Sequence, residues 1–142
     1  MFSEGAAEAM EFYTSVFKDG RIVNTMPGPN DTPMGGTFEI FGQRFKCFNG
    51  GPHFKFSEGM SLFVNADTQD EIDYLYEKLS EGGEQQQCGW VRDKFGVSWQ
   101  IIPPILGELI ADPDREKANR VINAMLSMQK LDIQALKDAA GE

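Results

Sequence analysis

Histidine and cysteine are scarce in this chain: His53 is the only histidine, and Cys47 and Cys88 are the only thiols. One histidine cannot make a two-histidine metal site. A Ser-His-Asp arrangement would have to run through His53, and no Gly-x-Ser-x-Gly elbow supports one. The cysteines form no Cys-x-x-Cys unit and have no histidine at finger spacing. A disulfide between them stays open, although two buried thiols suit the usual place of free cysteine better. Nowhere does an apolar run approach the ~20 residues of a membrane span. The opening Ser-Glu-Gly-Ala-Ala-Glu is too polar and acidic for a signal peptide, so the expected location is the cytoplasm. Basic residues are also few, 13 against 22 acidic, for a net charge of −9. Such a chain lacks the basic footprint of a nucleic-acid binder and any attraction to an anionic membrane. Its acidic surface serves solubility.

What is present is a core. Hydrophobic residues make up 41% of 142, eleven of them Phe, which is enough for one sizeable domain over 1–142 and too much for disorder. Ala6, Met10, Tyr13 and Phe17 recur at helical spacing within 4–17, and Asp19-Gly20 ends that helix. Arg21 to Met26 reads as a strand, and 27–33 as a Pro- and Gly-rich loop. Thr37–Phe41 and Arg44–Phe48 read as a hairpin joined by Gly42-Gln43, with glycine placed for a type II′ turn. Met60 to Asn65 is a further strand. Thr68-Gln-Asp-Glu71 is a capping box opening a helix to about Ser80, with Ile72, Leu75, Tyr76 and Leu79 as its buried face. Asp112-Pro113 is read as the start of another helix striped by Ala118, Val121, Ile122 and Met125. Asp132 is read as the cap of a last helix carrying Ile133, Leu136 and Ala140.

The richest stretch is Cys88 to Pro103, two strands around a turn that Asp93 opens and Gly96 closes. Val97, Trp99 and Ile101 point to one face of the second strand; Ser98, Gln100 and Ile102 point to the other. The order of elements is helix and three strands, then strand, helix and three strands, then helices. The second half reads β-α-β-β-β. The first reads the same without its leading strand, of which only Met1-Phe2 stands at the expected place. The fold class is therefore α+β: two modules, 1–56 and 57–104, and a helical tail, 105–142.

Paired modules of this kind resemble the vicinal oxygen chelate superfamily, which includes glyoxalases and extradiol dioxygenases. Glu4-Gly-Ala-Ala-Glu-Ala-Met-Glu-Phe-Tyr13, Asn49-Gly-Gly-Pro-His-Phe-Lys-Phe56, Cys88-Gly-Trp90 and Asp93-Lys-Phe-Gly-Val-Ser-Trp-Gln-Ile101 resemble the PhnB-like proteins, labelled 3-demethylubiquinone-9 3-methyltransferases. The resemblance implies a glyoxalase-like fold, and superfamily enzymes hold a divalent ion with His and Glu on cleft strands. It places Gln100 at the last-strand Glu position and Ser61 at a second-module His position. An amide and a hydroxyl are poor replacements for carboxylate and imidazole, so no metal ligand and no cofactor is expected. A Rossmann-type methyltransferase needs a strand, a Gly-rich loop and a helix around its cofactor. Gly35-Gly36 and Gly50-Gly51 do not precede predicted helices.

The expected function is binding of a small organic molecule in a sheet-lined cleft. Gln100, Asn49, His53, Ser61, Asn65 and Phe63 are the candidate cleft residues, the amides to orient a ligand and the aromatic to grip it. The alternatives are an enzyme of metal-dependent lyase or dioxygenase type, or the labelled methyltransferase. His53 also reads as a solvent-facing loop residue, and Cys47 as a packed thiol rather than a nucleophile. The expected partner is a second copy of the chain. Sheet edges need covering, and this family resembles the arrangement in which modules pair between chains. The apolar stripes of the tail give it a surface to clasp that copy.

Overall fold

The computed structural model describes all 142 residues as an α+β chain with five α-helices and two sheets. Two compact units divide it, Met1–Phe56 and Ser57–Glu142.

In the first unit α1 (Ala6–Val16) precedes β1 (Arg21–Met26), β2 (Gly35–Ile40) and β3 (Gln43–Phe48), an antiparallel sheet in that order. Helix α1 buries Ala6, Ala9, Met10, Tyr13 and Val16, which fall on one stripe at a spacing of three and four. It packs on β2, the central strand, where Phe38 stacks between Tyr13 and Phe45 at centroid distances of 5.8 and 5.4 Å. Phe2 forms a parallel bridge to Asn49, beside β3, and Gly50 N donates to its carbonyl at 2.7 Å. This single bridge stands at the place where the sequence pattern puts the module's leading strand.

The hairpin turn differs from expectation. Ile40 pairs with Gln43, so the two turn residues are Phe41 and Gly42, both at positive φ (50° and 67°) as in a type I′ turn. Phenylalanine seldom adopts that conformation. Two interactions hold it: both Asp19 carboxylate oxygens accept from the turn, one from Phe41 N and one from Gly42 N at 3.1 Å each, and the Phe41 ring packs edge-on against Phe17.

In the second unit β4 (Leu62–Asn65), α2 (Gln69–Ser80), β5 (Glu84–Gln85), β6 (Trp90–Arg92) and β7 (Ser98–Ile102) follow in chain order, and the sheet runs β4-β7-β6-β5. Strand β4 starts at Leu62, two residues later than expected, and lies parallel to β7. The capping box of α2 forms as read: Thr68 Oγ1 accepts from Glu71 N, and the Glu71 carboxylate accepts from Thr68 N. The helix buries Ile72, Leu75, Tyr76 and Leu79 and packs on β6 and β7. Val91, Trp99 and Ile101 are fully buried in the sheet, the last two from the expected apolar face of β7.

The tail is three helices, α3 (Pro104–Ile110), α4 (Arg115–Leu126) and α5 (Ile133–Ala140). Helix α3 is not among the expected elements, which stop at Pro103 and resume at Asp112. Yet proline at the first helical position is also a start signal, and Pro104 occupies it. The cap of α4 is Asp114 rather than Asp112: its Oδ1 accepts from Glu116 N and Lys117 N. Asp112 instead accepts from Asp114 N and pairs with Lys117, and these bonds hold its carboxyl below the usual range. Asp132 caps α5 as read.

Much of the tail's apolar surface is covered within its own unit, while Ile122, Met125 and Ile133 stay half-buried. Leu106, Leu109, Val121, Leu131, Leu136 and Ala140 form one buried cluster with Ile102 of β7. Polar anchors fix the tail to the rest of the unit. Gln69 bridges it, donating to Leu131 O at 3.0 Å and accepting from Ile133 N at 2.9 Å, while Cys88 N and Gly89 N donate to Met128 O and Gln129 O.

Candidate functional site

Register decides which residues of the second sheet share a face. Gln100 pairs with Phe63 of β4 on one side and with Trp90 of β6 on the other. Paired residues on neighbouring strands project to the same face, so Phe63, Gln100 and Trp90 form a row across three strands. The next row holds Asn65 and its partner Ile102. Trp99, one residue from Gln100, points to the opposite face and is 1% exposed.

Over these rows lies a cavity of about 420 Å³. Phe63, Asn65, Trp90, Gln100 and Ile102 line it from the sheet, with Cys88 at the loop before β6. Pro104, Leu106, Gly107 and Ile110 of α3 and Met125 of α4 line it from the tail. No acidic, basic or histidine side chain borders it.

Its polar groups are few. Gln100 Nε2 donates to Ser61 Oγ at 2.8 Å, joining the two residues that the resemblance put at ligand positions. That bond fixes the amide and leaves Gln100 Oε1 as an acceptor; Asn65 adds a second amide. Ser98, on the same face, is 2% exposed, and its hydroxyl has no hydrogen-bond partner.

The other two candidates belong to the first unit. Asn49 Oδ1 accepts from Ala6 N at 2.9 Å, which satisfies the first turn of α1, where Gly5 offers no capping side chain. His53 is exposed in the loop after β3. The structure thus brings together Phe63, Asn65, Gln100 and Ser61 and leaves Asn49 and His53 outside this cavity.

Both thiols are free. Cys47 is buried, and desolvation pushes its thiol up from the ordinary range, the wrong direction for a nucleophile. Cys88 is only half-buried, against the expectation of a second packed thiol. Its backbone is at φ 59°, held by the bond to Met128 O, and its side chain borders the cavity.

The sequence reading missed the tail wall. Leu106, Ile110 and Met125 carry no functional signature, and helical spacing marks Met125 only as part of an apolar stripe. The available signal was Pro104 as a helix start, which turns the apolar residues after it into a face that needs a partner.

The donor set does not fit a divalent transition-metal ion. Such ions favour imidazole, thiolate and carboxylate, whereas Gln100 and Ser61 present neutral oxygens. No group of three or more His, Cys, Asp or Glu side chains converges in the chain. The glycine pairs are likewise unlike a nucleotide-type loop: Gly35-Gly36 opens β2, and Gly50-Gly51 lies in the loop after β3.

Residues 1–102 match the model of a family described as 3-demethylubiquinone-9 3-methyltransferase. Among solved structures, the chain is similar to the PhnB protein of Bacillus cereus, labelled a 3-demethylubiquinone-9 3-methyltransferase. The two are 35% identical with a TM-score of 0.67, over 72% of this chain and 94% of that one. A protein from Pseudomonas aeruginosa shares the fold, with a TM-score of 0.61 at 22% identity, over 70% of this chain and 90% of that one. No curated protein matches the chain.

Proposed function

The chain belongs to this PhnB-like family, described as 3-demethylubiquinone-9 3-methyltransferase, and from that premise we propose that it binds a small, uncharged, largely apolar organic molecule in the cavity over Phe63, Gln100 and Trp90, without a catalytic metal. One observation carries this reading: a cavity of about 420 Å³, within the size range of small-molecule sites, has no charged group on its walls and one oriented amide. An ionised ligand buried there would lack a counter-charge, at a cost of several kcal/mol. Aromatic walls at Phe63 and Trp90 favour a flat molecule, and Gln100 Oε1 favours one that donates a hydrogen bond.

A titration of 2-naphthamide against 2-naphthoate tests it. The neutral amide binds at least about tenfold more tightly than the carboxylate at pH 7. Gln100→Leu weakens the amide by roughly 3- to 10-fold through the lost hydrogen bond and leaves the carboxylate unchanged. Equal affinity for the two probes would overturn the reading.

The family description supplies a second reading, transfer of a methyl group to a demethylubiquinone-like acceptor. Against it stands the absence of a strand, Gly-rich loop and helix in sequence around either glycine pair. Calorimetry with S-adenosylmethionine separates the two: micromolar binding would favour the methyltransferase, and no heat favours the binding module.

The proposal includes a cytoplasmic homodimer. Free thiols and acidic charge suit a reducing compartment. In the first unit β1 is an edge strand, and Ile22 and Met26 on it are exposed, a surface open to pairing. Light scattering at micromolar concentration should give twice 15.9 kDa. A persistent monomer at high concentration would remove the dimer.

A further inference from the structure

The family match ends at residue 102, and the Bacillus cereus protein is covered over 94% of its own length while covering 72% of this chain. The tail helices therefore lie outside the matched segment, and they supply Pro104, Leu106, Gly107, Ile110 and Met125 to the cavity wall. The Ile102–Leu136 cluster and the Gln69, Cys88 and Gly89 bonds hold this wall rigidly against the sheet.

Gly107 is the anomaly in that wall. It lies inside α3, where glycine is a poor helix former relative to alanine. Close packing does not require it: a methyl group at Gly107 would meet no atom within 4 Å. Nor is its φ in the left-handed region. Gly107 is also exposed, so it stands at the rim of the cavity, where the missing side chain leaves the mouth open.

We propose that the tail is the selectivity wall of the binding site and that Gly107 sets the width of its mouth, admitting a flat uncharged ring system too large for the site once a side chain stands there. This rests on the binding reading above. Leu106, Ile110 and Met125 supply the aliphatic and thioether surface for the ring, and thioether sulfur contacts aromatic rings favourably.

Nile red, neutral and planar, serves as the large probe, and 2-naphthamide as the small one. The wild-type chain binds both. Gly107→Ala melts higher, by on the order of 2–4 °C, because it strengthens α3. Gly107→Leu melts no lower than wild type, loses Nile red by at least tenfold and keeps 2-naphthamide within about threefold. Nile red binding unchanged in a folded Gly107→Leu would overturn the proposal while leaving the binding reading intact. A lower melting temperature for both variants would overturn it too, since the space at Gly107 would then not be free. A wild-type chain that binds neither probe would overturn the binding reading and this inference with it.

Discussion

Trp99→Ala should cost the fold about 3–5 kcal/mol and lower the melting temperature by more than about 10 °C. Trp99 is 1% exposed, pairs with Leu62 and Val91 on its two sides, and is the largest fully buried side chain. Truncation leaves a cavity in the layer between the sheet and α2, and a packed interior relaxes into it only in part. The indole Nε1 also donates to Asp93 Oδ2 at 2.9 Å, so the same change strips a buried carboxylate of a donor. Trp99→Phe keeps most of the volume and should fall between. Chemical denaturation measures all three. A loss below about 1 kcal/mol for Trp99→Ala would place the residue outside the core.

The second large effect is at the carboxylate itself. Asp93 is 2% exposed and organises the β6–β7 turn: Oδ1 accepts from Phe95 N at 2.9 Å and Val97 N at 3.0 Å, and Oδ2 accepts from Trp99 Nε1. Its backbone closes the same loop, with Gly96 N donating to Asp93 O at 3.0 Å and Gly96 at φ 89°. Asp93→Ala deprives three donors of their acceptor. At ~1–3 kcal/mol for each buried unpaired group, the total should reach about 3–5 kcal/mol. Asp93→Asn retains one acceptor oxygen and should lose roughly half as much. Because Asp93 and Trp99 share a bond, the double variant Asp93→Ala/Trp99→Phe should lose less than the sum of the singles. Additive losses would show that the bond contributes nothing to stability.

Much of this was legible in the residues themselves. The capping box at Thr68, the buried face of α2 and the two faces of β7 follow from local chemistry and period, which tertiary structure here reinforces. The strand pairing at Gln100 was legible only through alternation; that Gln100 reaches Ser61 is a matter of register between segments far apart in the chain. The turn at Phe41 was not legible, because its conformation depends on Asp19 and Phe17 rather than on its own propensity. The packing of the tail was not legible for a related reason. Its stripes correctly signalled an apolar surface in need of cover, but periodicity does not say whether the cover is a second copy or Ile102 of the same unit.

The tail also bears on how the family description applies here. The matched segment supplies the sheet, with Phe63, Gln100 and Trp90 in one row. Beyond residue 102 the chain adds Leu106, Ile110 and Met125 to the cavity. Ligand preference in this protein is thus expected to follow from residues on both sides of that boundary.

The most direct measurement is a proton–nitrogen spectrum recorded during titration with 2-naphthamide, following the side-chain amides of Gln100 and Asn65 and the indoles of Trp90 and Trp99. The account predicts saturable one-to-one shifts at Gln100, Asn65 and Trp90, with the Trp99 indole, bonded to Asp93 on the opposite face, left in place. Saturable shifts confined to the exposed loop around His53, or no saturation at Gln100, would contradict it.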